Sequence, residues 1–320
     1  MRLLVVGAGS TGGYFGGRLA NTGRDVTFLV RPARAAQLEA YGLQVISPHG
    51  GFTLAPKLIR AGSIGAPFNA VLLAVKAYSL EVALDDLAPA VGPETIILPV
   101  LNGIKHVGTL QARFGEKTVV GSVCKVAATL DDQGRIVQLT RGHELAYGEI
   151  SGASSARIQH IDSFMQGAGF DARVSGAIER EMWEKWVVLA SLSGITCLMR
   201  GSIGDVEAAP GGTDFAVRFL DEVISAVRGV GHPLSEDFLA KTKALLTEHR
   251  SSMTSSLYRD LQKGSPIEAD QIIGDLLARA QSVGVATPLL AATYTHLCVY
   301  QLRCQDTSYC EKFSIRAGAA

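Results

Sequence analysis

The first half of the chain alternates short apolar runs with segments whose apolar residues recur at helical spacing. Apolar runs of this length, bounded by glycine and polar residues, indicate buried strands. The pattern predicts strands at residues 3–6, 25–30, 70–75 and 95–101, and helices at residues 14–22 and 34–41. This alternation of strand and helix is typical of a parallel sheet covered by helices.

A different pattern follows, in which apolar and polar residues alternate. Residues 118–148 contain such stretches and predict antiparallel strands. One more helix (157–166) and one more strand (170–174) are predicted before Gly176, and 24 of the 35 glycines precede or occupy that position. We therefore place a domain boundary near Gly176. The predicted domains are residues 1–176 and residues 177–320.

The second domain has the pattern of helices throughout. Helices are predicted at residues 178–199, 215–227, 237–262 and 288–303. The segment Ser265-Pro266-Ile267-Glu268 matches a capping box and predicts that another helix opens there. The expected fold is therefore an α/β domain followed by an all-α domain.

Composition narrows the class of protein. Of the 320 residues 47% are hydrophobic, and thirty basic residues balance thirty acidic ones, so neither a disordered chain nor a nucleic-acid partner is expected. No apolar run reaches the roughly 18 residues of a membrane helix, so no membrane partner is expected. The five cysteines form no CxxC pair and the histidines no metal-binding spacing, which favours reduced thiols, a cytoplasmic location and no metal site.

A glycine-rich motif directly follows the first predicted strand. Gly7-Ala8-Gly9-Ser10-Thr11-Gly12 is a GxGxxG placed between a strand and a helix. Glycines there permit a tight turn and let the backbone approach a pyrophosphate at the helix N-terminus. The motif predicts a Rossmann-type dinucleotide-binding domain, and part of the glycine excess is then this turn. The alternative is a glycine turn that only packs a helix against a strand.

The residues after the second strand favour NADP over NAD. An NAD-binding domain usually carries an acidic residue at this position, where it holds the ribose 2′-hydroxyl. Here the strand is followed by Arg31 and, three residues later, Arg34. A guanidinium can bind a 2′-phosphate that an acidic residue would repel. The alternative is a solvated pair of arginines that opens the next helix.

A nicotinamide reductase also needs a proton donor for the developing alkoxide, and Lys185 in the segment 181–186 offers one. With this segment the chain resembles the ketopantoate reductase (2-dehydropantoate 2-reductase) family over nearly its whole length. The resemblance rests on GxGxxG, Val75-Lys76, Leu101-Asn102-Gly103, Glu181–Lys185, Ser255-Ser256-Leu257 and Gly264–Asp270.

The resemblance implies reduction of a small 2-oxo acid by NADPH bound between the domains, with 2-dehydropantoate converted to pantoate in pantothenate biosynthesis. It implies these roles: Lys185 as general acid and substrate contact, Asn102 between nicotinamide and substrate, Lys76 and the backbone of Ala127 at the cofactor, Glu268 at the nicotinamide ribose, and Ser256 and Ser193 at the substrate. Taken alone, Lys185 also suits a surface position on an amphipathic helix, and Glu268 suits the capping box.

The chain departs from the family in the substrate half. Many relatives carry asparagine one and two helical steps after the lysine, where this chain has Leu189 and Ser193, and a further asparagine matches Ile203. Leucine cannot hydrogen-bond a substrate hydroxyl, so another carbonyl or imine substrate is the main alternative. A non-catalytic NADP-binding regulator is the other alternative. Apolar helix surface in the second domain suits a homodimer.

Overall fold

The computed structural model of the chain describes residues 1–305. The chain divides into two compact units, of which the first is Met1–Met182 and the second begins at Trp183. The division falls inside a helix, shortly after the predicted domain boundary near Gly176, and that boundary stays a prediction. None of the described helices is long and apolar enough to span a membrane.

Strands occur in the first unit and helices in both. In chain order the strands are β1 (Arg2–Val6), β2 (Asp25–Leu29), β3 (Leu43–Ile46), β4 (Phe52–Leu54), β5 (Lys57–Ile59), β6 (Ala70–Leu73), β7 (Ile96–Pro99), β8 (Gly121–Leu130), β9 (Ile136–Gly148) and β10 (Asp171–Val174). In chain order the α-helices are α1 (Ser10–Asn21), α2 (Pro32–Tyr41), α3 (Leu80–Leu87), α4 (Lys105–Phe114), α5 (Ala156–Met165), α6 (Ile178–Met199), α7 (Ile203–Ala208), α8 (Gly212–Gly229), α9 (Glu236–Leu246), α10 (Ser256–Gln262), α11 (Asp275–Ser282) and α12 (Pro288–Gln305). A π-helical turn, Asp270–Gly274, leads into α11.

The first unit is built on a five-stranded parallel sheet with the order β5-β2-β1-β6-β7. Strand β1 is buried from Leu3 to Val6 and β6 along its whole length, as expected where helices cover both faces of a sheet. Val6 is in register with Leu29 of β2 and with Leu73 of β6, so these strands end at one edge. The predicted α/β class is confirmed.

A second sheet in the same unit has the order β10-β9-β3-β4. The long strand β9 pairs in parallel with β10 and β3, and β8 pairs with it antiparallel. The antiparallel pair is the one predicted from the alternating pattern of residues 118–148. The register of β8 shifts between Val126 and Ala128, which leaves Ala127 at a bulge.

Helix α1 packs between the two sheets, and its glycines allow this close approach. A Cβ added at Gly16 would lie 2.8 Å from the Phe28 ring on the parallel sheet. A Cβ added at Gly13 would clash with Ile136 on the second sheet. Side chains at these positions would separate the layers, so the glycines after the GxGxxG motif serve helix packing rather than phosphate binding.

The second unit is helical, as predicted, and α8 makes contact with α7, α9, α11 and α12. The buried face of α8 carries large apolar residues such as Phe219 and Val223. Glu222 of the same helix accepts hydrogen bonds from the backbone N–H groups of Leu289 (2.8 Å) and Leu290 (3.1 Å). Its carboxylate therefore caps the N-terminus of α12, where negative charge is stabilising.

The single helix predicted at residues 237–262 is wrong. The structure has two helices there, α9 and α10, and residues 247–255 between them are not helical. In this connection the carbonyls of Ser251 and Met253 accept hydrogen bonds from the N–H groups of Gly204 (2.7 Å) and Ile203 (3.0 Å). The connection thus supplies hydrogen-bond acceptors for the first-turn N–H groups of α7, which have no partners within that helix. A contact with a distant part of the chain leaves no trace in helical periodicity.

The capping box predicted at Ser265–Glu268 is also wrong. The four residues are not helical, and the helix predicted to open there begins just after them at Ala269 and continues through the π turn into α11. The carbonyl of Ser265 accepts a hydrogen bond from the Tyr300 hydroxyl at 2.9 Å, and both Ile267 and Glu268 are buried. Burial of these two side chains and the bond to α12 therefore outweigh the local capping preference.

Candidate active site

The GxGxxG motif forms the connection between β1 and α1. The N–H of Gly7 donates to the carbonyl of Leu29 at the end of β2 (3.0 Å), which joins the turn to the neighbouring strand. Gly9 is the N-cap residue, and α1 begins at Ser10 with Thr11 and Gly12 in its first turn. The N–H groups of a first turn have no partner inside the helix and favour an anion. The site suits a phosphate.

The three glycines of the motif meet different surroundings. Gly7 has φ +95°, and a Cβ there would lie 2.9 Å from the carbonyl oxygen of Ala74. A Cβ at Gly12 would lie 2.7 Å from the Cβ of Ala74 and would also clash with the carbonyl oxygen of Gly7. A Cβ at Gly9 would meet no heavy atom within 4 Å. The protein's own packing therefore explains why Gly7 and Gly12 are glycines. Gly9 instead leaves open the space that a pyrophosphate would need, so the turn fits a dinucleotide.

The two arginines after β2 differ in their surroundings. Arg31 is exposed and is the N-cap residue of α2. Arg34 donates from Nε to the carbonyl of Ala8 (3.0 Å) and from Nη1 to the carbonyl of Gly134 (2.8 Å), and burial lowers the pKa of its guanidinium. Arg34 thus braces the glycine turn, and Arg31 is the cation that solvent can reach.

Lys76 and Asn102 follow two other strands of the parallel sheet. Leu73 at the end of β6 is in register with Pro99 at the end of β7, so the two loops leave the same edge as the glycine turn. Lys76 and Asn102 are both partly exposed. Loops at the carboxyl edge of a parallel sheet are where such folds bind ligands. The structure brings these predicted residues to one edge of the first unit, and Ala127 lies at the β8 bulge of the second sheet.

The beginning of α6 is held by a partly buried carboxylate in the first unit. Glu181 accepts hydrogen bonds from both Nη atoms of Arg173 (2.6 and 3.0 Å) and from the hydroxyl of Ser175 (2.6 Å). Burial raises the pKa of Glu181, but the bonds from Arg173 and Ser175 outweigh it and hold that pKa below its usual value. The segment that contains Lys185 therefore starts from a fixed first turn.

Lys185 lies on α6 in the second unit, with Leu189 and Ser193 at i+4 and i+8. Residues at this spacing share a helix face. Lys185 and Leu189 are partly exposed, whereas Ser193 is fully buried. The Ser193 hydroxyl has no hydrogen-bond partner within residues 1–305. The lysine is accessible, and the next position on its face is apolar.

Two contacts place the segment 255–272 along α6. Near one end, the hydroxyls of Ser255 and Thr196 are 3.1 Å apart. At the other, the indole Nε1 of Trp186 donates to the carbonyl of Ile272 at 2.9 Å. Since Thr196 follows Trp186 in α6 while Ser255 precedes Ile272, the segment runs antiparallel to α6 beside the face of Leu189.

Ser256 and Glu268 both belong to this segment. Ser256 is the first residue of α10 and is partly exposed, and Ser255 caps that helix by accepting the N–H of Tyr258 at 3.0 Å. Glu268 is 6% exposed, and its carbonyl accepts the N–H of Ile272 at 3.1 Å. The π turn after Glu268 is thus held by Trp186. No sequence pattern indicated this turn, and π turns are frequent at functional sites.

Neither the thiol of Cys197 nor a group of metal ligands forms a second centre in the described residues. Cys197 is buried, and burial raises the pKa of its thiol to about 12, which leaves it unreactive at neutral pH. Cys310 lies outside the described residues. No three histidine, cysteine or acidic side chains within residues 1–305 are grouped so that they could hold a metal ion.

Comparison with known protein families finds one family that matches both units of the chain. The family described as "Ketopantoate reductase PanE/ApbA" matches residues 3–152, and its C-terminal counterpart matches residues 177–301. The chain is 36% identical to an uncharacterised oxidoreductase YkpB of Bacillus subtilis, over 94% of this chain and 99% of that protein.

Solved structures share the fold. A 2-dehydropantoate 2-reductase from Geobacter metallireducens has a TM-score of 0.84 at 26% identity, covering 93% of this chain and 99% of that one. A D-mandelate dehydrogenase solved with NADH and anilino(oxo)acetate also has a TM-score of 0.84, at 19% identity, covering 95% of this chain and all of that one (100%). At that identity the second likeness concerns the fold alone.

Proposed function

The chain belongs to the ketopantoate reductase family of oxidoreductases, and from that premise we propose that it reduces 2-dehydropantoate to pantoate with NADPH. The observation that carries the proposal is the accessible Lys185 on α6, at the position of the family's general acid, with Ser256 and Glu268 on the antiparallel segment beside that helix. A family match assigns the class of reaction, and these side chains support the substrate class.

The proposed chemistry divides the work between cofactor and protein. When bound, a reduced nicotinamide supplies a hydride for the carbonyl carbon of the 2-oxo acid. Lys185 donates a proton from Nζ to the carbonyl oxygen as negative charge develops there, which completes the hydroxyl of the product. Asn102 and Ser256 orient the substrate by hydrogen bonds, and Ser193 is the further contact on the lysine face. The backbone of the glycine turn holds the pyrophosphate.

NADP rather than NAD is the proposed cofactor, and the exposed Arg31 supports it. Its guanidinium stands directly after β2, where NAD-binding domains usually carry an acidic residue. Lys76, Ala127 and Glu268 are the other proposed cofactor contacts. Arg31→Ala should weaken NADPH binding at least about tenfold and leave NADH binding within about twofold, measured by fluorescence titration. Equal losses for both cofactors would contradict the 2′-phosphate assignment.

Lys185→Ala tests the proposed function directly. A general acid commonly accelerates its reaction about 100- to 10,000-fold, so kcat for ketopantoate should fall by a factor in that range. The affinity for NADPH should stay within about twofold of the wild-type value. The assay is NADPH oxidation followed by absorbance, with Lys263→Ala, an exposed lysine of the same unit, as the matched control. Full activity of the Lys185 variant would reject the proposed role.

A second candidate substrate is favoured by Leu189. This partly exposed apolar side chain lies one turn after Lys185, where many relatives offer an amide to the substrate hydroxyl. A 2-oxo acid with an apolar side chain would suit this surface better than ketopantoate. A panel of 2-oxo acids decides between them, and Leu189→Asn should raise kcat/KM for ketopantoate if the second candidate is right. The homodimer, the cytoplasmic location and the role in pantothenate biosynthesis stay predictions.

A further inference from the structure

Arg259 lies one helical turn after Ser256 on α10, within the segment that runs along α6. Its side chain is partly buried. Residues three apart on a helix are neighbours on one face, so Arg259 and Ser256 share a face. A charged side chain thereby stands beside a serine proposed to bind the substrate.

The hydrogen bonds of Arg259 leave one edge of its guanidinium available. Nη1 donates to the carbonyl of Thr254 at 2.8 Å and to its hydroxyl at 3.3 Å. Within residues 1–305, Nε and Nη2 donate no hydrogen bond. Nε and Nη2 form the edge that binds a carboxylate through two parallel bonds.

The charge of Arg259 is poorly compensated by the protein. Burial lowers the pKa of its guanidinium. The negative charge of the neighbouring Asp260 raises that pKa, but the two side chains form no ion pair. An arginine remains charged regardless. Two other arginines of the second unit do have a carboxylate partner: Arg279 binds Asp275 at 3.1 Å, and Arg228 binds Glu236 at 3.2 Å. A partly buried cation without such a partner is costly unless a ligand supplies the anion.

We propose that Arg259 binds the carboxylate of the substrate through Nε and Nη2. The inference rests on the proposed function, because a 2-oxo acid is the substrate class that carries a carboxylate next to the reacting carbonyl. It adds a division of labour: Arg259 holds the carboxylate, and Lys185 keeps its ammonium for the carbonyl oxygen. The bonds from Nη1 to Thr254 fix the orientation of the fork before substrate arrives, which reduces the entropy lost on binding.

Arg259→Gln, assayed on the best 2-oxo acid of the panel and on its primary amide, tests this binding role. Loss of a charge-assisted pair should raise KM for the acid about 10- to 100-fold while kcat changes at most about threefold. KM for the amide should stay within about twofold, so the preference of the wild type for the acid should collapse. Arg259→Lys, which keeps the charge but loses the fork, should fall between the two.

The controls separate binding from folding. Arg228→Gln removes an exposed, paired arginine of the same unit and should leave both KM values unchanged. An equal rise of KM for acid and amide, or a lowered melting temperature with unchanged KM, would overturn the inference. If Arg259→Gln does not fold, the Lys variant decides alone: unchanged KM for the acid overturns the proposal. Normal turnover by Lys185→Ala would reject the general-acid role of Lys185, and the proposal for Arg259 would still be decided by its own KM comparison. A wild-type protein that reduces no 2-oxo acid would overturn both the proposed function and the role of Arg259.

Discussion

Substituting alanine at Gly9 separates cofactor binding from folding, because no protein atom occupies the space where an alanine side chain would lie. Its backbone is extended, with φ −80° and ψ −163°, a conformation that alanine adopts without strain. An added Cβ would meet no heavy atom of the protein within 4 Å. Alanine is a poorer N-cap residue than glycine, so Gly9→Ala should cost about 1 kcal/mol of unfolding free energy or less.

The consequence for binding should be larger. If the backbone at Gly9 approaches the pyrophosphate, the new methyl group occupies the space that the phosphate oxygens need. We expect the Kd for NADPH to rise at least tenfold, which corresponds to about 1.4 kcal/mol. Gly12→Ala is the matched comparison, since a Cβ there would lie 2.7 Å from the Ala74 Cβ and would clash with the Gly7 carbonyl. Overpacking of this kind costs about 1–3 kcal/mol or more.

Two measurements distinguish the variants. Calorimetric or fluorescence titration gives the Kd for NADPH, and thermal unfolding gives the melting temperature, which shifts about 2–4 °C per kcal/mol in a protein unit of this size. Gly9→Ala should bind weakly and melt within about 4 °C of the wild type, whereas Gly12→Ala should melt clearly lower. A Gly9 variant that binds NADPH as tightly as the wild type would show that the pyrophosphate does not lie on this turn.

Three further outcomes follow from contacts away from the glycine turn. His49 and His143 stack at 3.8 Å, and burial, then the charge of His49, lowers the pKa of His143 from 6.5, so the unfolding free energy should fall as pH drops from about 7 to 5. Urea titrations should find that loss smaller in His143→Gln, and an unchanged pH dependence would contradict it. Glu222→Ala should lower the unfolding free energy by about 1–2 kcal/mol, because it removes the cap of α12. The control, Glu236→Ala, changes an exposed glutamate and should leave the unfolding free energy nearly unchanged. Trp186→Phe should lower the unfolding free energy by about 1–3 kcal/mol, because the buried carbonyl of Ile272 in the π turn loses its hydrogen bond to the indole. The same change should lower kcat more than it changes KM.

Hydrophobic periodicity along the chain predicted most of the fold, and its failures have identifiable physical causes. The four buried strands of the parallel sheet and the limits of α6 at Ile178 and Met199 were predicted, because continuous burial leaves a strong pattern. Strands β3, β4 and β5 were missed, since they are only three or four residues long and none is buried along its whole length. The break at residues 247–255 was missed because its reason lies in the backbone of α7, more than forty residues earlier in the chain.

The two halves of the candidate site were predictable to different degrees, for a reason that lies in how each binds. A dinucleotide-binding turn makes its demands on the backbone, for tight packing as well as for ligand approach, and these appear in the sequence as glycine at fixed spacing, visible here at Gly7, Gly9 and Gly12. The proposed substrate site uses side chains on helices, where a functional lysine and a solvated lysine follow the same periodicity. Lys185 was a possible proton donor from its segment, but only the resemblance to a family assigned it that role, and the partners of Arg259 became visible only in the structure.

This difference also explains why the family fixes the reaction more firmly than the substrate. In the proposed function the hydride donor depends on the glycine turn and the proton donor on Lys185, and this chain has both features. In that proposal, substrate choice depends on the face of α6 after Lys185, where Leu189 and asparagine have similar size and are both compatible with a helix. Exchange of a carboxamide for an isopropyl group there removes hydrogen-bonding groups that a substrate hydroxyl could use but is compatible with the same fold and the same proposed reaction. A hydroxylated substrate would lose a hydrogen bond worth about 1 kcal/mol or more, so the acid panel with Leu189→Asn is the measurement that identifies the substrate.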